Sequence, residues 1–153
     1  MKSLLLLLPL LLLAACGGSS GVSKTGDVIQ IRPVLDDDPL AAKFETTDGD
    51  EIRLGDPILS DQFINSLLVR ESGAETFELS VYMTEFGAGR WRKIMKRTSL
   101  QLALVVQGRV RTVFAPSLPV NKTGTQILVP AVASTKEEAD KLQTILDTKK
   151  SVR

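Results

Sequence analysis

Residues 76–83 alternate without a fault: Phe77, Leu79, Val81 and Met83 fall on one side, Glu78, Ser80 and Tyr82 on the other, and Thr84 follows directly. A two-residue period of this kind makes a strand with one apolar face. Thr84 is a good helix N-cap, and Glu85 suits the positive end of a helix begun there. With helical spacing, Ala88, Trp91, Ile94 and Met95 then form an apolar stripe, and Gly87 on the same side permits close approach of helix to sheet. A strand that runs straight into a helix, each with one apolar side, requires a sheet covered by helix. The expected class is therefore α+β.

The remaining elements agree with that class. Residues 28–35 alternate, with Ile29, Ile31 and Leu35 on one face and Gln30 and Arg32 pointing away, while Pro33 cannot donate to a ladder and predicts an edge strand. Asp36, Asp37, Asp38 and Pro39 end it. A carboxylate triplet admits a metal site, but consecutive side chains diverge, and a solvated turn is the ordinary outcome of such a cluster. Thr47-Asp48-Gly49-Asp50 predicts a hairpin between residues 43–46 and 51–54. Ser60 is expected to cap a single helical turn through Asn65, with Leu67, Leu68 and Val69 extended beyond it. Residues 100–106 and 109–114 read as strands joined by a tight Gln107-Gly108 turn in which the glycine takes a positive φ. Ile127, Leu128 and Val129 form another short strand. Ser134 or Thr135, each followed three residues later by Glu137 or Glu138, caps a last helix whose stripe is Ala139, Leu142, Ile145 and Leu146. Together these predict an antiparallel or mixed sheet with two main amphipathic helices packed on one face.

The opening of the chain sets its cellular situation. Lys2, the leucine-rich run after it, and the tetrapeptide Leu13-Ala14-Ala15-Cys16 resemble a bacterial lipobox signal. The apolar run is shorter than the roughly 20 residues that cross a bilayer. The resemblance implies cleavage before Cys16, a diacylglyceryl group on its sulfur and an acyl chain on the new amino terminus. Residues 1–15 are then the signal peptide, and residues 16–26 the lipidated cysteine with a flexible Gly/Ser tether. Residues 27–153 form a single α+β domain. Gly17 stands where an aspartate would favour inner-membrane retention, so the expected place is the periplasmic face of the envelope, at the outer membrane where a cell has two. Several acyl chains on one residue make a stable membrane anchor.

Composition removes several kinds of chemistry. Cys16 is the sole cysteine, so no disulfide scaffold can form. Histidine is absent, which takes away the commonest general base and the commonest metal ligand. The 19 basic and 18 acidic side chains become level once Lys2 is removed, and no nucleic-acid partner is expected. No phosphate-cradling glycine motif occurs. No catalytic residue, metal site or cofactor is therefore expected apart from the covalent lipid. A hydrolase working through carboxylates remains a third possibility, but spacing alone nominates no pair.

Two groups of cations are candidate binding surfaces. Arg90, Arg92, Lys93, Lys96 and Arg97 lie opposite the apolar stripe of the helix after Thr84. They suit either a solvated face or a basic surface that meets anionic lipid or envelope polymer. Arg109 and Arg111 are expected to project to one side of their strand at period two, where solvated side chains are again the ordinary alternative.

The order of short motifs carries a further resemblance. Ile31-Arg-Pro-Val34, Phe77 to Val81 leading into Thr84-Glu-Phe-Gly87, Leu102-Ala-Leu-Val-Val106 with Gln107-Gly-Arg-Val110 and Ala115-Pro116, and Gly124 before Ile127 and Thr135-Lys-Glu-Glu-Ala139 occur in that sequence. This series resembles the periplasmic head subdomain of the protein-export membrane component SecD/SecDF. It spans roughly residues 60–147, with the Arg-Pro-Val strand matched more loosely. The resemblance implies an α+β head that contacts exported or envelope polypeptides and acts through protein–protein contacts, including a strand added at the edge that carries Pro33 or a chain laid near Arg109 and Arg111. The transmembrane motor of that family has no counterpart in the run of residues after Cys16, and the family's Asp-Gly turn is Gln107-Gly108 here.

Overall fold

The computed structural model describes residues 27–97 and 99–148; the predicted signal peptide, Cys16 and the tether lie outside the described residues. In chain order the strands are β1 (Ile29–Pro33), β2 (Ala42–Glu45), β3 (Glu51–Leu54), β4 (Leu59–Ser60), β5 (Ile64–Gly73), β6 (Thr76–Met83), β7 (Leu102–Val106), β8 (Arg109–Phe114) and β9 (Gln126–Ala133). Two helices, α1 (Glu85–Ile94) and α2 (Lys136–Asp147), follow β6 and β9 respectively. The class is α+β, as the alternation and the two amphipathic stripes require. The strands divide into three antiparallel sheets, ordered β4-β1-β7-β8, β2-β3 and β5-β6-β9.

The main core fills the space where the larger sheets and both helices meet. Ile29 and Ile31 of β1 and Leu102, Leu104 and Val106 of β7 belong to one buried cluster with Leu79, Val81, Ile127, Val129, Trp91 and Leu142. Local signals set the helices. Thr84 Oγ1 accepts from the Gly87 N–H at 3.1 Å, and α1 starts at Glu85. Thr135 takes the other cap, accepting from the Glu138 N–H at 3.2 Å while Glu138 Oε2 accepts from the Ser134 N–H at 2.9 Å. Of the two overlapping capping registers, the Thr135–Glu138 one is used. The β7–β8 turn holds both Gln107 and Gly108 at positive φ, 49° and 80°, the twist that a two-residue hairpin loop demands.

Several expectations need correction. β1 is not an edge strand, because β4 and β7 pair with it on either side. Pro33 is its last residue, and the Pro33 carbonyl accepts from the Gly55 N–H at 2.9 Å, so the strand side that was to receive a peptide is occupied by the chain itself. Gln30 and Arg32 do not face solvent: they are 3% and 8% exposed. The β2–β3 hairpin folds over that side and forms a second, smaller core from Phe44, Leu54, Ala103, Val105 and Val110. Arg32 lies 4.8 Å over the Phe44 ring, donates from Nε to Gln30 Oε1 at 2.7 Å and from Nη1 to the Gly55 carbonyl at 2.8 Å. Burial pulls its guanidinium below the ordinary value, and the carboxylates of Asp56 and Asp27 oppose the shift. Ser60 gives no side-chain cap, and the turn after it is a 3-10 turn of three residues, Asp61–Phe63. Gly87 allows the close approach to the sheet that was expected, and a closer one to the 3-10 turn: a Cβ there would stand 3.2 Å from Met83 Cβ of β6 and 2.5 Å from the Phe63 carbonyl oxygen. The tightest contact is between α1 and the 3-10 turn.

Candidate functional site

The Arg-Pro-Val strand, the 3-10 turn and α1 come together around a groove. Gly87 lets α1 sit against Phe63, and Trp91, fully buried, fixes the other end by donating from Nε1 to the Ser117 carbonyl at 3.0 Å. Arg90 then closes the near side. Its Nε donates to the Ile58 carbonyl at 2.6 Å, its Nη2 to the Pro57 carbonyl at 3.2 Å, and its guanidinium lies 4.8 Å over the Phe63 ring. These contacts tie α1 to the segment between β3 and β4.

The groove so formed has a volume of about 410 Å³. Its apolar walls come from Pro33 and Leu35 of the first strand region, Pro57 and Ile58, and Ile94 with Leu100. Lys93 and Arg97 stand at its rim, with Asp56 opposite in sign. A neighbouring cleft of about 530 Å³, bounded by Met95, Gln101, Ala115 and Pro116, shares Arg97 and Leu100 with it. The two make a continuous apolar-floored surface with exposed cations along one side. Such a surface suits a chain that offers aliphatic side chains and negative charge.

The predicted basic face is thus divided by the structure. Arg90 is a clamp for backbone carbonyls, and Arg92 donates to the Ala88 carbonyl of its own helix at 3.3 Å. The helix ends at Ile94, so Lys96 and Arg97 lie in the turn beyond it rather than on its face, and the exposed side chains of Lys93, Lys96 and Arg97 make no hydrogen bond or ion pair among the described residues. Lys93 and Arg97 line the groove, whereas Arg92 and Lys96 do not. Arg109 and Arg111 are not part of it. Arg109 is paired loosely with Glu45 of the hairpin, at 3.7 Å between exposed side chains. The expected period-two projection of Arg109 and Arg111 is broken by a register shift opposite Leu104 and Val105, which leaves Arg111 with no partner across the ladder.

The groove walls were the part missed by sequence reasoning. Strand periodicity places Pro33 and Leu35 at a strand end, and no local pattern marks Pro57 and Ile58 as a wall. The signal that was available is the pair Gly55 and Pro57, which marks a non-regular segment between two strands. Among the described residues no group of three or more His, Cys, Asp or Glu side chains could hold a metal ion, and no helix is long and apolar enough to cross a membrane.

No protein-family model matches the chain, and no curated protein matches it. Among solved structures the chain is similar to SecDF, described as a membrane component that enhances protein export, with a TM-score of 0.55 and 19% identity over 78% of this chain and 61% of that one. A second SecDF structure, in a super-membrane-facing form, gives a TM-score of 0.55 and 20% identity over 78% of this chain and 18% of that one. The chain spans less than two thirds of the length of either neighbour. At such identity the likeness is one of fold: this α+β domain has the fold of a part of SecDF.

Proposed function

We propose that this chain is a lipid-anchored, non-enzymatic domain of the cell envelope that contacts exported or envelope polypeptides, in a role accessory to protein export. The observation that supports the reading is the SecDF-like fold over 78% of the chain. The groove beside α1 adds a suitable surface, with an apolar floor for side chains and Lys93 and Arg97 for negative charge. On this reading Cys16 and its lipid take the place of membrane spans, at the periplasmic face of the envelope. The protein needs no cofactor for such a role.

The test is photo-crosslinking of the full lipidated protein in the intact envelope from probes placed at Lys93 and Arg97, with identification of what is captured. Recovery of exported chains or export components supports the proposal; capture of neither sinks it. Labelling with a radioactive fatty acid checks the anchor, and Cys16→Ser must abolish incorporation.

A second reading rests on three cations at the end of α1 and in the turn that follows it, Lys93, Lys96 and Arg97, whose side chains would bind anionic lipid or envelope polymer. Salt separates the two. Exposed charges are screened beyond about 10 Å at 0.1 M salt, so binding lost as salt rises favours the polyanion, and binding of unfolded polypeptide kept at high salt favours the export-related role.

A further inference from the structure

Phe86, in the first turn of α1, is 82% exposed. Of the other four phenylalanines, Phe44, Phe77 and Phe114 are buried and Phe63 packs against the main core. Phe86 belongs to neither buried cluster, and the helix gains nothing from a ring whose helix propensity is below that of alanine or lysine. At 100° per residue Phe86, Arg90 and Lys93 fall within an arc of about 60°, away from the buried side that carries Gly87, Trp91 and Ile94. Arg90 and Lys93 both line the groove. Lone exposed apolar side chains are ordinary on protein surfaces; Phe86 differs in standing on the same flank of α1 as the cations that border a groove.

The chemistry of that flank changes in order along the helix. Phe86 offers an aromatic face. One turn on, Arg90 holds the Ile58 and Pro57 carbonyls through Nε and Nη2, and its Nη1 has no partner among the described residues. Lys93 stands seven residues beyond Phe86, about 10 Å along the helix axis, and Arg97 lies in the turn past it. Beside these two cations the groove is walled by Leu35, Ile58, Ile94 and Leu100. An extended chain turns every second side chain to one face, so residues four apart lie about 13 Å from each other on the same side. With one of them on Phe86, the other comes within reach of the long side chains of Lys93 and Arg97.

We propose that Phe86, Arg90, Lys93 and Arg97 form a binding strip for an extended polypeptide segment that carries an apolar residue and, four positions away, an acidic one. Phe86 packs on the apolar residue, Arg90 Nη1 donates to a main-chain carbonyl between the two, and Lys93 and Arg97 take the carboxylate. A concave apolar floor with an aromatic and two cations at fixed spacing favours a chain over a lipid surface, which offers negative charge without a spacing. The proposal rests on the reading of this protein as a polypeptide-contacting domain. It adds the residue pattern that is contacted, with Phe86 as a contact outside the groove walls.

The test uses the full chain in phosphatidylcholine nanodiscs and, as probes, glycine/serine peptides of about ten residues, the length of a long strand. One pair of probes carries a leucine and an aspartate four positions apart, in the two possible orders. A second pair has the aspartate moved to three positions, on the opposite face, and a third has lysine in its place. Binding is followed by broadening of the peptide NMR signals. The four-apart aspartate peptide, in one of its orders, is expected to bind roughly five-fold tighter than the three-apart or lysine peptides, the worth of one exposed charge pair. Phe86→Ala should weaken that binding about ten-fold and leave the melting temperature unchanged, since the ring lies outside the core. Lys93→Glu should weaken it by at least five-fold and make the lysine peptide the tighter binder, an exchange of preference that misfolding cannot produce. Binding of a reduced, alkylated polypeptide that ignores spacing, charge and Phe86→Ala would overturn the strip while leaving polypeptide contact intact. No binding of any peptide or of the unfolded polypeptide would overturn both. Binding of phosphatidylglycerol vesicles that Phe86→Ala abolishes, with no peptide bound, would give the strip to the membrane and overturn the proposal.

Discussion

The two faces of β7 are both buried, yet they are built from different materials. Leu102, Leu104 and Val106 enter the large apolar cluster shared by two sheets and two helices. Ala103 and Val105 join Phe44 and Leu54 of the β2–β3 hairpin and Val110 of β8 in a cluster of five buried residues, beside which Gln30 and Arg32 are also shut off from water. The first face gains from apolar area alone. The second must satisfy a buried guanidinium and a buried carboxamide by hydrogen bonds, and it does so through Gly55, Gln30 and Asp27. A fully apolar strand such as β7 therefore does not announce two equivalent cores. It announces that something covers each side.

The largest effect should come from the anchor of the main core. Trp91→Ala leaves a cavity and frees the Ser117 carbonyl, and should cost about 3–5 kcal/mol in urea denaturation. A loss under about 2 kcal/mol would mean that α1 contributes little to the main core. Adjacent residues of β7 make the sharper comparison. Leu104→Ala should cost about 3 kcal/mol and unfold the domain as one unit, whereas Val105→Ala should cost about 2 kcal/mol. In the Val105→Ala variant, hydrogen exchange should accelerate first in β2 and β3. Equal acceleration throughout would show that the hairpin is not a separable layer.

Arg32→Ala tests the polar side of the same face. It leaves the Gly55 carbonyl without its side-chain donor and removes the stack on Phe44, and should cost about 2 kcal/mol. Arg32→Lys should not restore the loss, since an ammonium cannot reproduce two fixed donors and a planar stack. Full rescue by lysine would show that charge alone matters at this position.

The smallest effect belongs to the exposed surface of the hairpin. Lys43 Nζ donates to Glu51 Oε2 at 2.7 Å across the β2–β3 pair, and that hydrogen bond, followed by the charge of Lys43, holds the Glu51 carboxyl below its ordinary value of about 4.5. A lowered folded value means that the small stabilisation is complete above the ordinary glutamate range and disappears as pH falls through the folded midpoint. In an NMR titration Glu51 should have a depressed midpoint, and Lys43→Ala should move it back up. An unchanged midpoint in that variant would show that the pair does not persist in solution.

Elements whose cause is local could be read directly. The alternation of β6, the Thr84 cap, the α1 stripe, the Asp48-Gly49 hairpin and the Thr135 capping box each depend on residues a few positions apart. The five cations between Arg90 and Arg97 were legible as a set, but neither the end of the helix at Ile94 nor their division was. Arg90 finds its acceptors 32 and 33 residues earlier in the chain, and nothing in its own helix marks it as different from Lys93 or Arg97. Arg111 was misplaced for a related reason, since a bulge is a property of a ladder and needs both strands to be seen.

The groove is a product of folding at longer range. Helical and strand periods, caps and turns follow from steric and hydrogen-bonding preferences of neighbouring residues, and the chain carries them wherever it goes. Whether Gln30 and Arg32 meet water, whether β1 has a free side, and whether a side chain from α2 meets β5 depend on segments 23 to 74 residues distant arriving at one place. Burial of a face is decided by what packs on it, and periodicity reports only which residues share that face. The α+β class was thus present in the order of residues, and the groove beside α1 came from the meeting of distant elements.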